Sequence, residues 1–307
     1  MATRTAHLTG DLPRTADLVI IGGGIIGAAT AFFAARARLR TVVVERRPML
    51  GMLTTPAATG AFRAQFDNPE EMALVRESIA LFANFGEVAK LPNYEIGMRQ
   101  QGYLWLATRE GTLERQRELV AQQREWGLND VELLDGDEVR RRFPYIGEEI
   151  LGARYRAGDG WLDVRKLLMG YATASGSTFA VETEVTGILV AGGRVRGVST
   201  SRGEIAAESV VIAAGPFSRL VAALAEIEIP LTFVRRQRLI LPEVPEVPQD
   251  APMTIDEETG AHWRPWLHGA HLLWTSHTEP AGPPLEDVPT TSAFALGLLN
   301  PESEHAV

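Results

Sequence analysis

Asp17-Leu-Val-Ile-Ile-Gly-Gly-Gly-Ile-Ile-Gly27 is the stretch that decides how this chain folds. Its first five residues form a short, β-branched apolar run, suited to a strand buried on both faces of a parallel sheet. Gly22, Gly23 and Gly24 punctuate that run, and the alanine-rich segment Ile25 to Arg38 predicts a helix. Thr41-Val-Val-Val-Glu45 then reads as a second buried strand. Strand, helix and strand in this order make a βαβ unit, whose crossover is right-handed.

The segment Gly22 to Gly27 fits the pattern G-x-G-x-x-G. Each glycine has a physical task. Gly22 permits a tight turn, Gly24 lets the backbone approach a pyrophosphate, and Gly27 lets the helix pack close to the strand. The helix N-terminus at Ile25 and Ile26 offers free N–H groups and a favourable dipole to phosphates. Glu45 ends the second strand, about 20 residues after the last glycine, where a carboxylate binds ribose hydroxyls and repels a 2′-phosphate. Glycines serving only as turn formers need neither the flanking strand and helix nor the acid. With all three present, a dinucleotide is the expected ligand.

Working outward, the chain has 307 residues, 45% hydrophobic and 22% charged, which is ordinary globular composition. A net charge of −9 argues against a nucleic-acid partner, because such surfaces are basic. Cysteine is absent, so disulfides and thiolate metal sites are excluded. Met1 to Ala16 lacks the apolar core of a secretory signal. Leu18 to Ala37 is apolar enough to resemble a membrane span, but its three glycines fit a strand, turn and buried helix better. The expected location is the cytoplasm.

Pro69 to Phe85 predicts an amphipathic helix, with Met72, Val75, Ile79 and Phe82 along one face. Gly102 to Thr108 alternates like a strand of a different layer, Glu110 to Trp126 reads as a charged helix, and Val131 to Leu134 as an edge strand. Val164 to Ala174 reads as a helix. Val185–Val190, Arg194–Ser199 and Glu204-Ile205 look like an antiparallel meander turning at Gly192-Gly193, followed by a fully buried strand over Ser209 to Gly215. Four prolines mark Pro242 to Pro252 as a loop, and Trp263, Trp266 and Trp274 lie in strand-like surroundings. The fold class expected is α/β: a Rossmann-like dinucleotide domain over 1–90 and 150–225, with an inserted mixed-sheet α+β domain over 91–149 and 226–307.

Several of these segments together resemble the D-amino-acid-oxidase-like flavoproteins, in particular the branch of sarcosine oxidase, glycine oxidase and the dimethylglycine or proline dehydrogenase β-subunits. Gly60-Ala-Phe-Arg63-Ala-Gln65 is similar to the family's G-x-x-R-x-Q segment beside the flavin ring. Tyr103 lies in a stretch like its substrate-domain strand. Asp159-Gly-Trp-Leu-Asp163 resembles its return step, and His262-Trp-Arg264-Pro265 its substrate-facing strand. The resemblance implies FAD as cofactor, with Arg46, Thr54, Thr55 and Arg63 joining the glycines, Ile25, Ile26 and Glu45 in holding it. It also implies Val185 near the adenine and Ala214-Gly215 near the pyrophosphate. The family closes with a glycine-rich C-terminal segment that this sequence does not show, so a partner subunit or a longer chain is expected to supply it.

By the same resemblance, the activity is oxidation of a small amine or amino acid, such as sarcosine, glycine or proline, by hydride transfer to flavin N5. Oxidation of a 2-hydroxy acid or glycerol 3-phosphate, and a non-catalytic FAD-binding fragment, are the alternatives. The electron acceptor is left open. Arg264 is the first candidate to anchor a substrate carboxylate, because a guanidinium fork matches that group. Arg63 is the second, and Tyr103 offers a hydroxyl. A strand arginine on the surface and a half-buried core tyrosine are the blander readings of Arg264 and Tyr103. His262, His268, His271 and His277 fall within sixteen residues, but their spacing fits no compact ligand set, so no metal is expected.

Overall fold

A computed structural model describes residues 6–9, 11–274, 279–280 and 282–287, with the side chains of 235, 274, 279 and 280 left aside. The chain enters through β1 (His7–Thr9) and β2 (Thr15–Ile21), crosses through α1 (Ile25–Arg36) and returns as β3 (Thr41–Val44). β2 and β3 are parallel, with Ile20 opposite Val43. Both faces of this pair are covered, which is why its sequence is continuously apolar. Ile20 and Val43 pack with Ala28, Ala31 and Phe32 of α1 on one side. Val19, Val42 and Val44 pack with Val198 and Ile205 on the other. Each of these buried valine, isoleucine and phenylalanine side chains contributes about 1.5–3 kcal/mol.

Next come α2 (Thr54–Ala57), β4 (Ala61–Phe62), α3 (Pro69–Ala83) and α4 (Phe85–Val88). Asn68 caps α3 by accepting from the Glu71 N–H at 2.8 Å, and Pro69 sits in its first turn. The helix expected to reach Phe85 stops at Ala83. Asn84 leaves helical geometry and its amide donates to the Ala80 carbonyl, a side-chain bond that competes with the helix. Phe85 therefore opens α4 and packs edge-on against Tyr171.

The chain continues through β5 (Tyr103–Ala107), α5 (Glu110–Glu125), β6 (Glu132–Asp135), α6 (Gly136–Arg142), β7 (Gly152–Arg156), β8 (Gly160–Trp161) and α7 (Val164–Ser175). It then forms β9 (Thr178–Ala180), β10 (Val185–Ala191), β11 (Arg194–Thr200), β12 (Gly203–Ile212) and α8 (Ser218–Ala223). The last strands are β13 (Val234–Arg235), β14 (Arg238–Leu241), β15 (Met253–Asp256), β16 (Ala261–Trp266), β17 (Gly269–Trp274) and β18 (Glu279–Pro280).

Two seven-stranded sheets organise the described residues. The first has the order β1-β9-β3-β2-β12-β11-β10, the second β14-β17-β16-β15-β5-β7-β6. Mixed sheets with helices packed against them make this an α/β Rossmann-like fold. β7 lies past residue 150, yet it pairs with β5 and β6 in the second sheet. Two expectations are corrected. Glu204-Ile205 and the strand after Ser209 are one continuous strand, β12, which pairs antiparallel with β11 and parallel with β2. Its later half is not fully buried: Ser209 is exposed and Val210 to Ile212 are half-buried. Val210 and Val211 reach the two core clusters only in part, and the strand's end borders a cavity.

Candidate cofactor and substrate site

The glycine turn owes its shape to close approaches that side chains would block. Gly22 has φ +115°, and a Cβ there would lie 2.4 Å from the Ala213 carbonyl oxygen. A Cβ on Gly27 would lie 1.9 Å from the Gly22 oxygen. Gly24 differs: the nearest atom to its virtual Cβ is Thr55 Oγ1 at 3.4 Å. Glu45 fixes the turn from the side. Its Oε2 accepts from the Gly23 N–H at 2.7 Å and its Oε1 from the Arg47 N–H at 2.9 Å. Thr55 Oγ1 accepts from the Ile25 N–H at 3.1 Å. The N-cap Gly24 supplies no capping side chain to α1 and its first turn carries no acid, so its positive end stays available to an anion.

This turn forms one wall of a cavity of about 330 Å³ at the carboxyl ends of β2, β3 and β12. Such crevices, outside the strand ends of an open sheet, are where dinucleotides bind. Gly22, Gly24, Ile25 and Ile26 line it from the turn, Glu45 and Arg46 from the end of β3, and Thr54 and Thr55 from α2. Val185, Ala214 and Gly215 also line it. Gly27 acts behind this wall, through its packing on Gly22. Arg63 is not among the lining residues. Arg46 sits 3.9 Å from the Phe217 ring centroid and pairs with Glu286, so its charge is partly neutralised. The set fits a dinucleotide: a helix N-terminus with no acid in its first turn for the diphosphate, a carboxylate for a ribose, and apolar walls for a base.

The second sheet presents a cationic, aromatic face. Register places Trp105 opposite Arg154, and Arg264 opposite His271. Arg264 is 3% exposed and lies 5.4 Å from the Trp161 ring centroid and 4.9 Å from that of Trp266. Its Nε donates to the Thr59 carbonyl at 3.0 Å and its Nη1 to the Pro265 carbonyl at 3.1 Å. The free fork expected from the sequence is therefore partly committed, leaving Nη2. Burial, then the neighbouring Arg238 and Arg99, pull its pKa down to about 10. Arg238 donates to the Ala58 carbonyl at 2.8 Å. Both arginines thus grip the chain just after α2, whose Thr55 holds the Ile25 N–H.

Arg63 stands over Phe66, with Tyr103 and Trp105 also near its guanidinium, at 4.4, 5.9 and 5.4 Å to the three centroids. Its buried Nε has no hydrogen-bond partner. Tyr103 is 3% exposed; burial raises its phenol pKa, against the pull of Arg63 beside it. Behind them Asp159, fully buried, accepts from the Ala64 N–H at 2.9 Å, from Gln65 at 3.0 Å and from Arg156 at 2.5 Å. Asp159 is the post that holds the Arg63 segment.

Arg154 escaped the sequence reading, and His271 was considered there only as a metal ligand. Arg154 is 3% exposed on β7 and 4.9 Å from the Trp105 centroid. His271 is 3% exposed, stacks on Trp266 at 4.8 Å and has neither ring nitrogen paired. Burial, then Arg264 and Arg238, lower its pKa to about 3, so it is neutral at ordinary pH. Of the other clustered histidines, His262 lies on the same face of β16, His268 is in the adjoining turn, and His277 is outside the described residues. No group of three metal-ligating side chains occurs among the described residues. No helix among them is long and apolar enough to cross a membrane.

Fold and cavity together define the class as a Rossmann-like dinucleotide-binding protein that carries a second mixed sheet. The chain belongs to the FAD dependent oxidoreductase (DAO) family, whose model matches residues 17–303. Its cofactor is accordingly FAD. It is 28% identical to the FAD-dependent oxidoreductase domain-containing protein 1 of Xenopus laevis, over 97% of this chain and 68% of that protein. Mitochondrial dimethylglycine dehydrogenase of Rattus norvegicus is 28% identical over 87% of this chain, which spans only 33% of that enzyme's length. Among solved structures, glycine oxidase from Bacillus cereus superposes with a TM-score of 0.71 at 28% identity, covering 84% of this chain and 70% of the other.

Proposed function

We propose that this chain oxidises a small amine or amino acid, with Arg63 anchoring the substrate carboxylate. The observation that carries the reading is the setting of Arg63: a guanidinium bounded by Phe66, Tyr103 and Trp105, with a buried donor left unpaired. A carboxylate satisfies that donor, and the aromatic rings exclude water from the reacting carbon. The names of two relatives, a dimethylglycine dehydrogenase and a glycine oxidase, point to the same substrate class.

Bound FAD supplies the two-electron acceptor, and the protein supplies position and field. Thr55 and Glu45 hold the glycine turn, fixing where the diphosphate rests. Arg264 and Arg238 tie the second sheet to the residues that follow Thr55 and thereby set its distance from the cofactor wall. Neutral His271, beside the free Nη2 of Arg264, offers an uncharged hydrogen-bonding group on the same face. Holding the substrate in one orientation removes orientational entropy from the barrier.

The test is anaerobic mixing of holoprotein with separate amines, amino acids and 2-hydroxy acids while the visible flavin absorbance is followed. The proposal expects bleaching by at least one amine or amino acid. Bleaching by hydroxy acids or glycerol 3-phosphate alone overturns it.

A further inference from the structure

Arg154 has no hydrogen-bond partner for any of its nitrogens among the described residues, although it is 3% exposed. Nε and Nη1 are wholly buried and unpaired. No carboxylate among the described residues forms an ion pair with it. Glu257, Asp159 and Asp67 attract it from farther off, Arg63 repels it, and burial outweighs these in lowering its pKa to about 10. A buried charge without a partner is strongly destabilising, so its retention calls for a partner that arrives from outside.

The unpaired donors converge. Arg63 Nε, Arg154 Nε and Nη1, and Trp105 Nε1 are all buried and unpartnered, and all belong to one indole or to the two guanidiniums beside it. Centroid distances of 5.4 and 4.9 Å bound the separation of the two guanidinium carbons at about 10 Å. Trp105 and Arg154 are cross-strand partners on β5 and β7, so this arrangement rests on sheet register rather than on a loop. Nearby Glu257 is engaged by Gln116 at 2.7 Å and does not reach the guanidinium.

We propose that Arg154, with Trp105 Nε1, forms a second oxyanion subsite beside Arg63, and that the substrate is an amino or imino acid carrying a second carboxylate on a short chain. This rests on the proposed amine oxidation, with Arg63 taking the first carboxylate and Arg154 the distal one. A simple monocarboxylate leaves Arg154 unsatisfied. A short diacid satisfies both guanidiniums through charge-assisted hydrogen bonds.

The test uses the FAD holoprotein and two matched pairs of probes. Glutarate and butyrate, which are not oxidised, are titrated while the flavin spectrum is followed. N-methylaspartate and N-methylalanine are compared as anaerobic reductants. The expected result is glutarate binding at least about tenfold tighter than butyrate, with that ratio falling towards one in Arg154→Met. Trp105→Phe, which keeps the ring and loses the N–H, lowers the ratio by a smaller factor and serves if Arg154→Met does not fold. Arg154→Met without added anion should melt no lower than the parent, because an unpaired buried charge has gone. A ratio near one in the parent protein, or one retained in Arg154→Met, overturns the proposal. So does inorganic phosphate binding as tightly as glutarate, which assigns the subsite to a free anion. Reduction by hydroxy acids but by neither N-methyl compound defeats the amine reading alone, because the glutarate-to-butyrate ratio still reports on Arg154.

Discussion

The carboxylate of Glu45 accepts a hydrogen bond from the Gly23 N–H at 2.7 Å, so the end of β3 holds the turn that follows β2. The sequence assigns Glu45 to a ribose; the geometry gives it a second task, because its other oxygen holds the Arg47 N–H. Hydrogen bonds to charged groups contribute about 1.5–3 kcal/mol each. Glu45→Ala is therefore expected to weaken FAD binding by about ten- to a hundredfold. Fluorescence titration of apoprotein with FAD measures this, and an unchanged Kd contradicts it.

Gly27→Ala is expected to lose bound flavin and to destabilise the fold by about 1–3 kcal/mol, the usual cost of overpacking. The added methyl meets the Gly22 oxygen at 1.9 Å, between backbone atoms that cannot swing aside. Flavin content and the midpoint of urea unfolding give the two readouts.

Arg264→Lys is expected to raise KM more than tenfold while FAD remains bound. A lysine cannot reproduce the planar fork that bonds the Thr59 and Pro265 carbonyls while lying between Trp161 and Trp266. Steady-state kinetics alongside flavin content separates loss of substrate alignment from loss of cofactor.

His271 predicts a pH dependence of stability. Its folded pKa is depressed to about 3, so between that value and the ordinary histidine range the unfolded chain binds a proton that the native protein does not. The native state is then favoured above the unfolded pKa and loses this advantage as pH falls, with a slope of up to ~1.4 kcal/mol per pH unit. Replacing His271 by Phe should flatten the decline of Tm between about pH 6.5 and pH 4. Parallel declines in parent and variant contradict the assignment.

The βαβ unit was legible because its cause is local: Leu18 to Ile21 and Thr41 to Val44 are buried on both faces, so apolar composition reports them directly. The shape of the glycine turn was legible for the same reason, since Gly22 and Gly27 are where only hydrogen fits. β7 was not. Gly152-Ala-Arg-Tyr-Arg156 carries two arginines, and nothing in its composition shows that Arg154 points into a buried aromatic face while Arg156 is neutralised by Asp130 and Asp159. The continuity of β12 was hidden by Glu208 and Ser209, polar residues on a strand whose outer side is only lightly covered. Thr55 stood in the sequence as a member of the cofactor set, but its bond to the Ile25 N–H spans thirty residues and becomes visible only in three dimensions. His271 was weighed only as a metal ligand, because a histidine's neutrality depends on the arginines that surround it in space.

The most direct measurement is equilibrium titration of apoprotein with FAD, followed by flavin fluorescence, with Gly27→Ala in parallel. One FAD per chain for the parent and none for the variant is the result this account predicts. A parent protein that takes up no FAD, or a variant that binds it equally well, contradicts the claim that the Gly22–Gly27 turn forms the cofactor site.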